Sequence, residues 1–179
     1  MASDPVHQAA GLTIGELLRA RVRLHPDRIA VCDGDCQFRF AEFNARVNRL
    51  AAVLRGLGIG RGDRVAILSE NRAEYLELIF AAGKLGVIVC ALNWRLADPE
   101  LAYCVTLTSP KVTFVSPNFA AAGGRLSAIL AATIMLGDEY EQRLAREADA
   151  EPEIVAEPED GHIILYTSGT TGNPKGALI

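Results

Sequence analysis

A chain of 179 residues, half of them hydrophobic and 22% charged, has the make-up of a folded protein with one substantial core, which excludes a disordered segment. Aromatic residues supply only 6%, so the core must rest on Leu, Ile, Val and Ala; a formal charge of −4 gives no overall attraction to nucleic acid or an anionic membrane. No run of about 18 apolar residues offers a membrane span, and residues 1–11 read as a leader without the pattern of a secretory signal, so the cytoplasm is the expected compartment.

From residue 12 onward helices and strands take turns. Thr13-Ile14-Gly15-Glu16 fits a capping box, and the helix it opens should end near His25-Pro26. Residues 29–32 and 37–40 predict a hairpin around Asp33-Gly34-Asp35. Phe40, Phe43, Val47, Leu50, Leu54 and Leu57 draw one apolar stripe, with Arg46 and Arg49 off it and Gly58 as the helix stop. Residues 64–68 predict a strand. Residues 72–86 predict a helix with Leu76, Ile79, Phe80 and Gly83 inward, and 87–92 a β-branched strand. Asp98-Pro99-Glu100 starts another helix, 111–116 another strand, and 118–130 a helix interrupted at Gly123-Gly124. Residues 133–136 read as strand and 138–148 as a charged surface helix. This alternation, with nearly unbroken apolar strands, predicts an α/β layered domain with a largely parallel sheet flanked by helices over 12–148.

Cys32, Cys36, Cys90 and Cys104 lack C-x-x-C spacing and a companion histidine pair, which argues against zinc. Reduced, mostly buried thiols are expected, with Cys32 and Cys36 placed to face each other across the hairpin turn. No metal-ligating set is assigned. His7, His25 and His162 have no catalytic companions in the sequence.

Residues 149–160 are acidic, carry two prolines and read as a solvated connector. Beyond them, 161–179 hold a buried-looking strand, His162 to Tyr166, and then a run rich in glycine and hydroxyl groups that ends Pro174-Lys175-Gly176 with no carboxylate. Glycines let backbone approach a ligand closely, successive N–H groups can nest an anion, hydroxyls donate to phosphate oxygens, and Lys175 adds a mobile positive charge. A soluble surface loop is the competing reading, but such loops seldom pair this hydroxyl density with Pro-Lys-Gly straight after an apolar strand. The Walker pattern fails, because Lys175 follows Pro174 and precedes Gly176-Ala177. Gly58-Ile59-Gly60-Arg61-Gly62 lies between a helix and a strand, the reverse of a dinucleotide fingerprint, and is a turn.

Tyr166-Thr167-Ser168-Gly169-Thr170-Thr171-Gly172-Asn173-Pro174-Lys175-Gly176 resembles the signature loop of the AMP-binding, acyl-adenylate-forming superfamily. The run from Phe40 to Lys84 resembles that family's N-terminal region, and Leu85 to Leu96 the stretch found in acyl- and aryl-CoA ligases. The resemblance spans roughly 12–179 and is weakest over 117–150; Ala91 stands where a proline is common. It implies the N-terminal portion of the large domain of an ATP-dependent acid–CoA ligase, whose later motifs would lie beyond Ile179. It further implies ATP, Mg2+ and coenzyme A. Thr167, Ser168, Gly169, Thr170, Thr171, Gly172 and Lys175 would contact the ATP phosphates, and Arg95 a coenzyme A phosphate, against the competing reading of a surface arginine with a structural partner. Lys175 would stabilise phosphate charge and no other catalytic residue is assigned; Tyr166 and Trp94 are expected to pack. A carboxylic acid, fatty or aryl, would be the substrate, and the 179 residues alone are expected to be inactive. An adenylating enzyme with another acceptor and a non-catalytic phosphate-binding module are the alternatives. An unfinished sheet edge would invite association into a homo-oligomer.

Overall fold

In a computed structural model, which describes residues 12–167 and 174–179, Thr13 caps the first helix, α1 (Ile14–Leu24), as its spacing predicts. The Glu16 amide donates to Thr13 Oγ1 at 3.3 Å, and the Thr13 amide donates to Glu16 Oε2 at 2.9 Å, so two otherwise orphaned donors are satisfied. The leader 1–11 lies outside the described residues. Strands β1 (Ile29–Asp33) and β2 (Cys36–Arg39) form a separate antiparallel hairpin. Their register sets Cys36 opposite Asp33 and Cys32 opposite Gln37. Facing residues share a side of a hairpin and alternate along each strand, so the two thiols point to opposite sides and do not face each other. Both are exposed, whereas Cys90 and Cys104 are buried.

The stripe of the second helix, α2 (Phe40–Gly56), is buried at Phe43, Val47, Leu50 and Leu54. Leu57 lies past the helix end and is exposed, and Gly58 takes φ of 71°, the left-handed turn that releases the chain. Strand β3 (Arg64–Leu68) sits mid-sheet, with Val65 and Ile67 in one core and Ala66 and Leu68 in the other. Helix α3 (Ala73–Leu85) leads to β4 (Ile88–Leu92), α4 (Asp98–Thr108) to β5 (Val112–Val115), and α5 (Ala120–Arg125) to β6 (Thr133–Met135). After α6 (Asp138–Leu144) the chain returns to β7 (Ile163–Thr167) and β8 (Lys175–Leu178). The six-stranded sheet has the order β6-β5-β3-β4-β7-β8, parallel throughout except for the last pair. Helices α1, α2, α3 and α6 share the core on one face, and α4 and the segment around Leu126 pack on the other.

The inner face of α3 departs from its apolar pattern. Leu76 is 39% exposed, while Glu77 and Lys84 are fully buried beside Leu78, Ala81 and Leu85. Both charges have partners, which is the condition for burial. Glu77 accepts from Arg46 Nε at 2.5 Å and from the buried Tyr140 hydroxyl at 2.5 Å; Arg46 also reaches Glu141 and lies 5.3 Å from the Phe38 ring centre. Burial pushes the Glu77 carboxyl up, but the guanidinium meets both its oxygens, and an ionised pair is the state this geometry fits. Tyr140 and Leu144 are likewise buried, so α6 is not simply a charged surface helix.

Residues 149–160 have neither helix nor strand and are mostly exposed, yet they are tied down along their length. They run as a strap over α2 and α3: Arg49 pairs with Asp149, Asn44, Asn48 and Lys84 hold Glu151, Arg55 donates to the Glu153 carbonyl, and Arg61 grips Glu157 and Asp160. The cations that receive it lie on helices and turns read as solvent-facing, so the sequence pattern alone does not reveal the docking.

These contacts set a direction for acid stability. Burial pushes Glu151 up, but hydrogen bonds from Lys84, Asn44 and Asn48 outweigh it and hold the carboxyl below its usual range. Asp63 beside Lys111 and Asp160 beside Arg61 are lowered as well. A depressed carboxylate contributes stability above its unfolded value, near about pH 4, and loses it as pH falls through the folded value. Glu77 is raised and contributes in the opposite sense. Urea midpoints should therefore fall from pH 5 to pH 3; a flat or rising midpoint would contradict this assignment.

Candidate functional site

The C-terminal ends of parallel strands are where an open α/β sheet offers ligand sites. The chain passes from β3 to β4 with α3 on one face, then returns across β3 to β5 with α4 on the other, so the winding reverses between β3 and β5. That crevice is closed by a carboxylate. Glu70 accepts from Ser116 Oγ at 2.6 Å and from Asn118 Nδ2 at 2.8 Å. Burial pushes its carboxyl up, but these bonds and Arg72 outweigh it and keep it below its usual value. An ionised Glu70 repels an anion there.

Farther along the same sheet end, β7 lies beside β4 and turns back through β8. Of the phosphate-loop candidates, Thr167 ends β7 and Lys175 begins β8, and the two are directly paired, with Thr167 Oγ1 3.5 Å from the Lys175 carbonyl oxygen. Ser168, Gly169, Thr170, Thr171 and Gly172 lie outside the described residues. Lys175 is exposed, and among the described residues no carboxylate pairs with it. The two ends of the segment are thus held in register, with Lys175, unpaired among the described residues, at its exit.

Tyr166 anchors the entry. Its ring reaches under α4, and its hydroxyl lies 3.0 Å from Thr108 Oγ1 and 3.2 Å from the Cys104 carbonyl oxygen. Burial pushes the phenol up and pushes the Cys104 thiol up to about 11, so both stay protonated, as strand-end packing requires. Gly176, opposite Tyr166, has no room for a side chain: a Cβ there would lie 2.9 Å from Ile164 Cγ2 and 3.8 Å from the Tyr166 ring. The glycine that closes the motif is therefore set by packing.

Strand β8 and the pairing of the chain's last residues with β7 were not legible from the sequence. Residues 175–178 are fully paired to 164–167, and the Ile179 carbonyl accepts from the His162 amide at 2.7 Å. Nor is β7 fully buried, since Leu165 is 41% exposed. His162 is held neutral by burial, and among the described residues its Nε2 has no partner.

Arg95 follows β4 at the same end of the sheet. Its guanidinium lies 4.3 Å from the Trp94 ring centre, and Trp94 stacks on Phe119 at 5.6 Å. The arginine thus has a structural partner, although both it and Trp94 remain exposed. A surface cation–π contact of this kind is worth about 0.5–1 kcal/mol, little enough to yield to a phosphate.

This architecture has known counterparts. The family model for the AMP-binding enzyme matches residues 18–179. The chain belongs to the AMP-binding enzyme family. Among its relatives, the long-chain-fatty-acid–CoA ligase FadD13 of Mycobacterium tuberculosis is 36% identical over 172 residues, covering 92% of this chain and 34% of that protein. Feruloyl-CoA synthase of an Amycolatopsis species is 36% identical over 164 residues, covering 89% and 31%. The inhibitor-bound N-terminal domain of FACL13 from Mycobacterium tuberculosis superposes with a TM-score of 0.87 at 34% identity, covering 93% of this chain and 44% of that one. The chain thus spans about a third of the length of the curated relatives it matches. Among the described residues no helix is long and apolar enough to cross a membrane.

Proposed function

We infer that this chain carries the polyphosphate-gripping part of an ATP-dependent acid–CoA ligase, which joins a carboxylic acid to ATP and passes the acyl group to coenzyme A. The observation that carries this reading is the hydroxyl- and glycine-rich segment tied at both ends by the Thr167–Lys175 pair, at the sheet end where parallel strands finish. Family membership supports it, as do the long-chain-fatty-acid and feruloyl substrates in the relatives' names, which favour a fatty or aryl acid.

In such a reaction the substrate carboxylate is the nucleophile. It attacks the α-phosphorus and pyrophosphate departs, so the protein's task is to position the groups and stabilise the departing charge. Thr167 and Lys175, with Ser168, Gly169, Thr170, Thr171 and Gly172, would supply the donors, each worth about 3 kcal/mol by analogy with oxyanion donors. Magnesium is the ion proposed to accompany the polyphosphate, sharing the stabilisation of its charge. Arg95 is the candidate for a coenzyme A phosphate. An acyl carrier protein is the alternative acceptor, the substrate named for a relative from Streptomyces coeruleorubidus at 29% identity. The cytoplasm is the proposed compartment.

Calorimetric titration tests this reading. Inorganic pyrophosphate and Mg-ATP should bind the 179-residue chain with similar affinity, adenosine should not bind, and ATP–pyrophosphate exchange should be absent with any carboxylic acid. Binding of adenosine but not pyrophosphate would overturn the phosphate assignment, and exchange by the chain would overturn its expected inactivity.

A further inference from the structure

Among the described residues Lys84 is the most deeply buried cation, with its side chain fully shielded from solvent. Its ammonium has three donors and uses all of them: Asn44 Oδ1 at 2.7 Å, Asn48 Oδ1 at 2.6 Å and Glu151 Oε1 at 2.6 Å. Asn44 and Asn48 sit one helical turn apart on α2 and turn their amide nitrogens to the same Glu151 carboxylate, at 2.9 Å and 3.1 Å. The site is complete only with the strap in place. Remove Glu151 and the ammonium keeps two neutral oxygens and no counter-charge, in surroundings where an uncompensated charge is costly.

The backbone of Lys84 holds the strap too. Its carbonyl accepts from the Val155 amide at 3.1 Å. Two residues on, Gly86 turns the chain into β4 at φ of 63°, and a Cβ placed there would lie 3.4 Å from Asp160 Oδ2. The strap is therefore fastened to the turn from which β4 emerges. Only Gly161 and His162 separate it from β7, whose pairing to β4 starts when the Val89 amide donates to the His162 carbonyl at 2.9 Å. The strap's other ion pairs, Arg49–Asp149 and Arg61 with Glu157 and Asp160, are solvent-exposed and contribute little to holding it. Lys84–Glu151 is the pair that water does not screen on the lysine side.

We propose that Lys84 is a positioning residue for the phosphate segment, acting through Glu151 and the strap to set the register of β7 on β4 and so the place where Thr167 and Lys175 present the loop. The route is short and contiguous: ammonium to Glu151, strap to His162, β7 to Thr167, and Thr167 to Lys175 across the hairpin. The inference rests on the polyphosphate reading for its functional consequence and on the fold alone for its structural one.

Hydrogen exchange on the 179-residue chain separates the two. In Glu151→Ala, the Val155 and Val89 amides and those of residues 163–167 should exchange at least about tenfold faster than in the unaltered chain, while amides of α2 and β3 change less than about threefold. Glu151→Gln keeps the shape and an oxygen for Lys84 but loses the charge and the oxygen that accepts from Asn44 and Asn48, and should show the same pattern at reduced size. Pyrophosphate affinity should fall about three- to tenfold in Glu151→Ala, although no loop residue has been touched. Unchanged exchange at Val155 and Val89 in both variants would overturn the proposal. So would faster exchange spread evenly over α2 and β3, or an unfolded Glu151→Ala with an unaffected Glu151→Gln, since either makes the pair a general stabiliser. If exchange rises locally while pyrophosphate binds neither variant nor the unaltered chain, the function assigned to the loop fails and the coupling of strap to β7 stands; local exchange with unaltered pyrophosphate affinity overturns the link to the loop.

Discussion

Replacing Arg46 with methionine should cost about 3–5 kcal/mol, a large part of the stability of a domain this size. The reason is the partner left behind. Glu77, on α3, is wholly buried against α2 and α6, its two oxygens facing Arg46 nitrogens at 2.5 and 3.3 Å and the Tyr140 hydroxyl at 2.5 Å. Without the guanidinium that carboxylate must either remain charged in a poorly solvating site or take up a proton, and the links to Glu141 on α6 and the Phe38 ring on β2 are lost with it. A triple change removing the whole polar cluster, Arg46→Met with Glu77→Met and Tyr140→Phe, should recover most of the loss, because it strands no buried polar group. Urea unfolding of the single and triple variants decides it. A single variant within 1 kcal/mol of the unaltered chain would show that the cluster is no stronger than a surface pair.

Lys175→Met should leave stability nearly unchanged, since the side chain is exposed and among the described residues no carboxylate pairs with it. Its effect should fall on polyphosphate binding. A charge-assisted hydrogen bond is worth about 1.5–3 kcal/mol, so pyrophosphate affinity should drop roughly 10- to 100-fold. The residual interaction should also depend less on salt, because one charge has been removed from it. Lys111→Met is the matched control: it removes an exposed lysine that pairs with Asp63, on the turn before β3. Calorimetry at two salt concentrations should show the loss in Lys175→Met alone; equal losses in both would mean diffuse attraction by positive surface rather than a built site.

The layered parallel sheet was legible because each of its parts has a local cause. Thr13 and Glu16 cap each other, β3 occupies residues 64–68 as its apolar run predicts, and the α2 stripe is buried at Phe43, Val47, Leu50 and Leu54. The misreadings share a cause. Periodicity assigns charge to the outside, so it moved Leu76 inward and left Glu77 and Lys84 out, although polar partners supplied by α2, α6 and the strap reverse that order. The docking of the acidic run 149–160 is hidden for the complementary reason: its cations are far away in sequence, and only the fold brings them near. Strand β8 carries glycine and lysine and owes its pairing to β7, which no local preference announces. The family was legible as a resemblance, and the candidate site rests on the motif that carries it. What the sequence did not disclose is how the loop is held, through Tyr166 under α4 and the Thr167–Lys175 pair.

Backbone amide shifts of the isotopically labelled chain, followed while inorganic pyrophosphate is added, test the assignment of the loop most directly. The expected result is saturable movement concentrated in residues 167–176, abolished at the same ligand concentrations by Lys175→Met. Movement centred elsewhere, at the β3–β5 crevice around Glu70 for instance, or none at all at millimolar pyrophosphate, would contradict the claim that this segment grips phosphate.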